Sequence, residues 1–168
     1  MDALKQYLVP YIISNILFVL CLIAAVKKPM WARIFLATVF LWAAYTNFKT
    51  ALSSPEVYLD YEKFTPVPFY REFINGIFSQ HIKPFVFLIA MGEFFICIGL
   101  LLKNGLVKMS CLGGILFGLA ISPLGIGSAF PATVLMALAF GILLKKERHD
   151  YIWKWRQYEQ FHHNSLIE

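Results

Sequence analysis

Charge is what this chain has least of. Only 15% of its 168 residues are Asp, Glu, Lys or Arg, against roughly a quarter in a soluble domain. With 59% hydrophobic residues and a mean hydropathy of +0.64, the sequence falls outside the soluble globular classes. A cysteine pair is also missing. Cys21, Cys97 and Cys111 stand singly in apolar runs, so there is neither a C-x-x-C redox motif nor a zinc ribbon. Buried free cysteine behaves as a small hydrophobe, and that is how the three are read. Gly125 and Gly127 have no P-loop lysine after them and no strand before them, which excludes a phosphate cradle. The adjacent His162 and His163 lie near the end of the chain and are read as solvated, so no metal site is assigned. No catalytic constellation is present, and the expectation is a protein that is not an enzyme.

What the sequence does have is long apolar runs. A bilayer core needs roughly 17–25 such residues per helix. The first run, Leu8 to Val26, is followed by Lys27 and Lys28 rather than preceded by positive charge, so it reads as a retained anchor and not a signal peptide. The second is Trp31 to Leu52, after the basic turn KKPMWAR, and the third is Pro84 to Leu102. Leu106 to Leu144, 39 residues, is too long for one span. It breaks at ISPLGIGSAFPA, where Pro123, Gly125, Gly127 and Pro131 stop helices and form turns. The expected spans are therefore 8–26, 31–52, 84–102, 106–121 and 129–144, a single all-α membrane bundle with an outer loop at 53–83 and a tail at 145–168.

The positive charge of +5 could point to nucleic acid, but the basic residues sit at the ends of the apolar runs, where they set topology. Nucleic-acid binding is excluded on that ground. With five spans, ten Lys and Arg fall on the side of the 27–33 turn, the 103–108 turn and the tail, and five on the other. Basic residues favour the cytoplasm, which puts the N-terminus outside and the C-terminus inside. A four-span count gives the same totals, so the break residues and the length decide for five. In the outer loop Phe69, Phe73, Ile74, Ile77 and Phe78 recur at helical spacing, which predicts a short interfacial helix with Tyr58, Tyr61 and Tyr70 at headgroup depth. Trp153, Trp155 and Tyr158 suit an interfacial belt on the inner side.

One residue conflicts with this pattern. Glu93 is the single acidic residue within a span, and a carboxyl in hydrocarbon must face the bundle interior. At about 1.5 Å per residue, Glu93 lies at the midplane, Asn15 about 3 Å outward, Tyr45 about 5 Å, Asn47 about 8 Å and Lys49 about 11 Å. These residues are the candidate partners of Glu93 in a polar layer, because hydrogen bonds must replace its lost water. Two roles stay open: structural fastening between helices, and a proton or ligand site of the kind that intramembrane ionisable groups often mark. Gly113, Gly114 and Gly118 form a small-residue stripe including a G-x-x-x-G, suited to close helix packing within the chain or between copies.

Two stretches, ARIFLATVFLWAAYTNF and AMGEFFICIGLLLKNGLVKMSCLGGILFGLA, carry a family likeness. In the second, a glutamate opens a Gly/Leu-rich helix, a short basic turn follows, and another small-residue helix begins. Over residues 31–144 the chain resembles the DoxX-like family of small bacterial integral membrane proteins. The resemblance implies a four-helix core, here with 8–26 added in front, in the inner membrane. It implies that Glu93 falls on a recurring family position and that Asn47 lies near one often basic or polar. Some members are associated with quinone-linked sulfur oxidation or thiol-redox systems; this chain departs from the latter in lacking a cysteine pair. Three functions follow as expectations. The first is a non-catalytic subunit, scaffold or assembly factor of a membrane complex, partnered by other subunits or by a second copy. The second is a redox-associated protein contacting quinone or another lipid-soluble ligand. The third is a small proton-coupled carrier using Glu93, which no internal repeat supports.

Overall fold

A computed structural model describes residues 2–146 and 150–152, with side chains from Leu8 onward. The aromatic belt at Trp153, Trp155 and Tyr158 and the histidines 162 and 163 lie outside the described residues. Among these, five long helices form the body: α1 (Asp2–Lys27), α2 (Pro29–Ser53), α4 (Ile82–Leu101), α5 (Gly105–Ile121) and α6 (Ala132–Leu144). A 3-10 segment over Pro55–Lys63 and a short helix α3 (Pro68–Phe73), which loosens into a π turn at Ile74–Phe78, connect α2 to α4.

Short turns force neighbours in sequence to run antiparallel. The helices close into a ring in which each packs on the next and α1 packs on both α2 and α6. The widest interface is α2 with α4. The buried residues of α4, Val86, Ala90, Glu93, Cys97 and Leu100, follow a 3–4 spacing that keeps them on one face. On α2, Arg33, Leu36, Phe40, Ala44 and Ala51 do the same. The main core lies between these stripes and α5–α6, centred on Phe40 and Phe140, whose rings meet edge to face at 5.5 Å. The three cysteines are free and buried in it.

Between lipid-facing helices the hydrophobic effect contributes little, and close packing takes its place. Gly114 and Gly118 give α5 a flat face for this purpose. A Cβ on Gly114 would stand 2.3 Å from the Phe140 ring, and one on Gly118 2.9 Å from the Thr133 carbonyl. Gly113 faces Ile96 of α4 instead. All three thus serve packing within the chain.

Leu8, Ile16, Leu20, Trp42, Phe95, Met109 and Leu116 are exposed, so the outer surface of the bundle is apolar on every long helix but α6, where Leu138 alone is as open. Water solvates such a surface poorly, and lipid solvates it well. Three helical stretches, Leu8–Lys27, Ile82–Leu101 and Gly105–Ser128, are long and apolar enough to cross a membrane. Ala132–Leu144 is apolar but shorter. Helix α2 has the length, but Arg33, Asn47 and Lys49 dilute its apolar character.

The break after α5 falls at Ile121. Ser122–Ser128 forms a 3-10 turn, and α6 starts at Ala132, three residues later than the sequence predicts. The delay has a local cause. Ala129 takes left-handed backbone (φ +58), which no helix start tolerates, and Pro131 then precedes the first turn.

The connections gather at two ends. At one, Thr65 donates to the Pro123 carbonyl (2.6 Å) and Tyr70 to that of Ala120 (2.6 Å), joining the 55–78 segment to the 122–131 hairpin. At the other, Arg33 is buried and caps α4. Its Nε and Nη2 donate to the Leu100 carbonyl at 3.0 and 2.7 Å, Nη2 also to Leu102 at 2.7 Å, and Nη1 to Asp150 at 2.9 Å. The last carbonyls of a helix lack partners in their own helix and carry partial negative charge, so a guanidinium fits there. The sequence reading counts Arg33 only as a charge in a turn. Its position inside the 31–52 run, without an acidic partner, is a signal for burial.

Candidate functional site

Glu93 sits on the α2 side of α4 and is 2% exposed. Asn47, one turn before the end of the α2 stripe, donates from Nδ2 to Glu93 Oε2 at 2.7 Å. The other end of that amide is also used. Tyr58, in the 3-10 segment beyond α2, donates its phenolic proton to Asn47 Oδ1 at 2.5 Å. A side-chain hydrogen bond from Thr50 also reaches Tyr58, and Tyr61 stacks against it with centroids 6.1 Å apart. The result is a line of polar groups from the Pro55–Lys63 segment through α2 to the middle of α4.

The environment of Tyr58 favours its neutral form. Burial raises the phenol above its ordinary value, and the Thr50 hydrogen bond only partly offsets this. The phenol therefore stays a donor, as the bond to Asn47 requires.

Of the four residues expected beside Glu93, only Asn47 arrives. Asn15 donates to the Tyr11 carbonyl (2.9 Å) and to Ala129 (3.4 Å), which ties α1 to the 122–131 hairpin, and its Oδ1 is buried without a partner. Tyr45 and Lys49 are exposed on the opposite side of α2 from Asn47. The reason is geometric. Two residues along a helix correspond to a turn of about 200°, so Tyr45 and Lys49 cannot share a face with Asn47. Depth along the axis placed these groups in one layer but says nothing about direction around it.

Tyr45 belongs to a separate feature. Between α2 and α4, on the outer surface, lies an open groove of ≈ 540 Å³ with Ala44 and Ala90 at its floor and Tyr45, Phe48, Phe87 and Phe94 along its sides. Phe48 and Phe87 meet edge to face at 5.4 Å across it. Glu93 does not line it. Among the described residues no three His, Cys, Asp or Glu side chains converge as a metal site would need.

Comparison with known protein families, curated proteins and solved structures returns no match. The chemistry of the site is therefore read from its own atoms. A carboxamide between a phenol and a carboxyl is a poor proton wire, because its nitrogen donates and its oxygen accepts without exchanging a proton. It is a good clamp, since both ends are held at once. Tyr58 is the residue that sequence reasoning missed. Its 11-residue separation from Asn47 spans the end of α2 and a change of direction, and no periodicity encodes that return.

Proposed function

We propose that the chain is a five-span protein of a bacterial inner membrane, N-terminus outside and C-terminus in the cytoplasm, that serves as a non-catalytic subunit, scaffold or assembly factor of a membrane complex. The observation that carries this reading is the Tyr58–Asn47–Glu93 line. The mid-helix carboxyl is bonded inward, to the group that fastens α2 and the outer segment, rather than facing the α2–α4 groove. A fastener of this kind supports a rigid framework and argues against the carrier reading, which needs a carboxyl that alternates between partners. The grouping of the 27–29 and 102–104 turns at one end of the bundle, with the 55–78 segment and the hairpin at the other, supports the five-span arrangement.

Extraction in a mild detergent followed by native mass spectrometry tests the role. Migration with a second chain type or as a defined homo-oligomer is expected; a bare monomer from every preparation would overturn the subunit reading. The DoxX-like alternative, contact with quinone or another lipid-soluble ligand, draws support from the apolar groove with Tyr45 on its side. Quinone co-extracting with the wild type but not with a Tyr45→Ala variant would favour it.

A further inference from the structure

The groove between α2 and α4 differs from the rest of the apolar surface in what stands at its outer end. Its lining residues run from Leu41 to Phe48 on α2 and from Phe94 back to Phe87 on α4, two helical turns or roughly 10 Å in length. Lys83 stands one turn outward of Phe87 on the same face of α4, four residues away. Lys49 follows Phe48 directly and stands four residues beyond Tyr45, on the outward side of α2. Both lysines are exposed, and no ion pair neutralises either among the described residues. The feature is thus an apolar channel with small residues at its base, aromatic sides, and two free cations at the end where the membrane span meets the outer segment.

We propose that this groove binds an anionic phospholipid, one acyl chain lying over Ala44 and Ala90 between the aromatic side chains and the phosphate held by Lys49 and Lys83. Charge selects the occupant. A neutral quinone gains nothing from two cations, whereas a lipid phosphate meets both at the depth where its own chain enters the groove. Lysines at this depth extend along their stems to the headgroup layer, which brings their ammonium groups to the phosphate without bending the helices. The aromatic sides fit a flexible chain by edge contacts, and the two alanines keep the base low enough to admit it. The proposal rests on α2 and α4 crossing the membrane, and it gives the framework a specific lipid as part of its outer surface.

The test reconstitutes the full chain in vesicles of equal phosphatidylglycerol and phosphatidylcholine, extracts it gently, and counts retained lipids by native mass spectrometry. On the scale that two lysines give near an anionic lipid, the wild type is expected to retain roughly thirtyfold more phosphatidylglycerol than phosphatidylcholine. The Lys49→Gln/Lys83→Gln variant should retain the two about equally, while Lys108→Gln, at the other end of the bundle, keeps the wild-type preference. Unchanged helicity by circular dichroism in each variant removes folding as an explanation. Equal retention by the wild type, an unaltered preference in the double variant, or an equal loss in Lys108→Gln would each overturn the lipid site. A chain that fails to enter the vesicles at all would overturn the membrane reading beneath it, a distinguishable result.

Discussion

At the scale of single residues, two buried polar groups determine how α2 meets α4. Arg33 donates four hydrogen bonds to backbone carbonyls at the end of α4 and at Asp150, none of them to a carboxylate. Replacing it with Met keeps the stem's packing and strands those carbonyls. Hydrogen bonds to charged groups contribute about 1.5–3 kcal/mol each in favourable cases, and nearby lipid headgroups or water recover part of that. Arg33→Met is expected to lower stability by about 2 kcal/mol in detergent, measured by thermal unfolding. Tyr58 carries the pH signature. Its phenol is raised in the folded chain, so the unfolded chain releases the proton first as pH rises. The stability it contributes is therefore full below the ordinary phenol value of about 10 and declines above it. A Tyr58→Phe variant, which cannot ionise, should lose stability at neutral pH and show a smaller further loss between pH 10 and 11 than the wild type. An equal alkaline loss in both would show that Tyr58 is not held as described.

At the scale of elements, the hairpin between α5 and α6 depends on one glycine. Gly125 has φ +66, and a Cβ there would stand 2.6 Å from the Phe64 carbonyl, which follows the Pro55–Lys63 segment. With ψ −133 the residue lies in a region that essentially only glycine adopts, which costs another residue about 1–3 kcal/mol before the clash is counted. Gly125→Ala should therefore loosen the 55–78 segment from the hairpin, read as faster hydrogen exchange at residues 64–67 with α5 and α6 unchanged. Unaltered exchange there would contradict the close approach.

This hairpin was legible in the sequence because Pro123, Gly125, Gly127 and Pro131 act locally. The inward direction of Glu93 was legible for a different reason, the cost of leaving a carboxyl in an apolar run without partners. Asn47 is named by its depth alone, like Asn15, Tyr45 and Lys49, and it is the one of the four whose side chain also points at Glu93. What the sequence did not carry was long-range order. Asn15 lies at a suitable depth, yet α1 packs in the ring between α2 and α6, so its amide meets Ala129 instead. The outer segment was expected to lay its tyrosines among headgroups. Tyr58 turns to Asn47, and Tyr70 makes an exposed bond to the Ala120 carbonyl, because Thr65 and the hairpin fold that segment over the end of the bundle.

For the whole molecule, these bonds combine into a framework fixed at one end and at the middle of its widest interface. Arg33 holds α2 to the C-terminal end of α4, and Asn47 holds it to the middle of α4 and, through Tyr58, to the 55–63 segment. A ring of helices pinned in this way presents a constant outer surface, as a scaffold or subunit requires. The central claim is that Glu93 fastens helices. A double-mutant cycle of Asn47→Leu and Glu93→Leu, measured by reversible unfolding in mixed micelles, tests it most directly. Interhelical hydrogen bonds in membranes average about 0.6 kcal/mol and reach about 1.7 kcal/mol, and a coupling in that range is the predicted result. Additive losses, with coupling below about 0.3 kcal/mol, would contradict the claim and return Glu93 to the chemistry of protons.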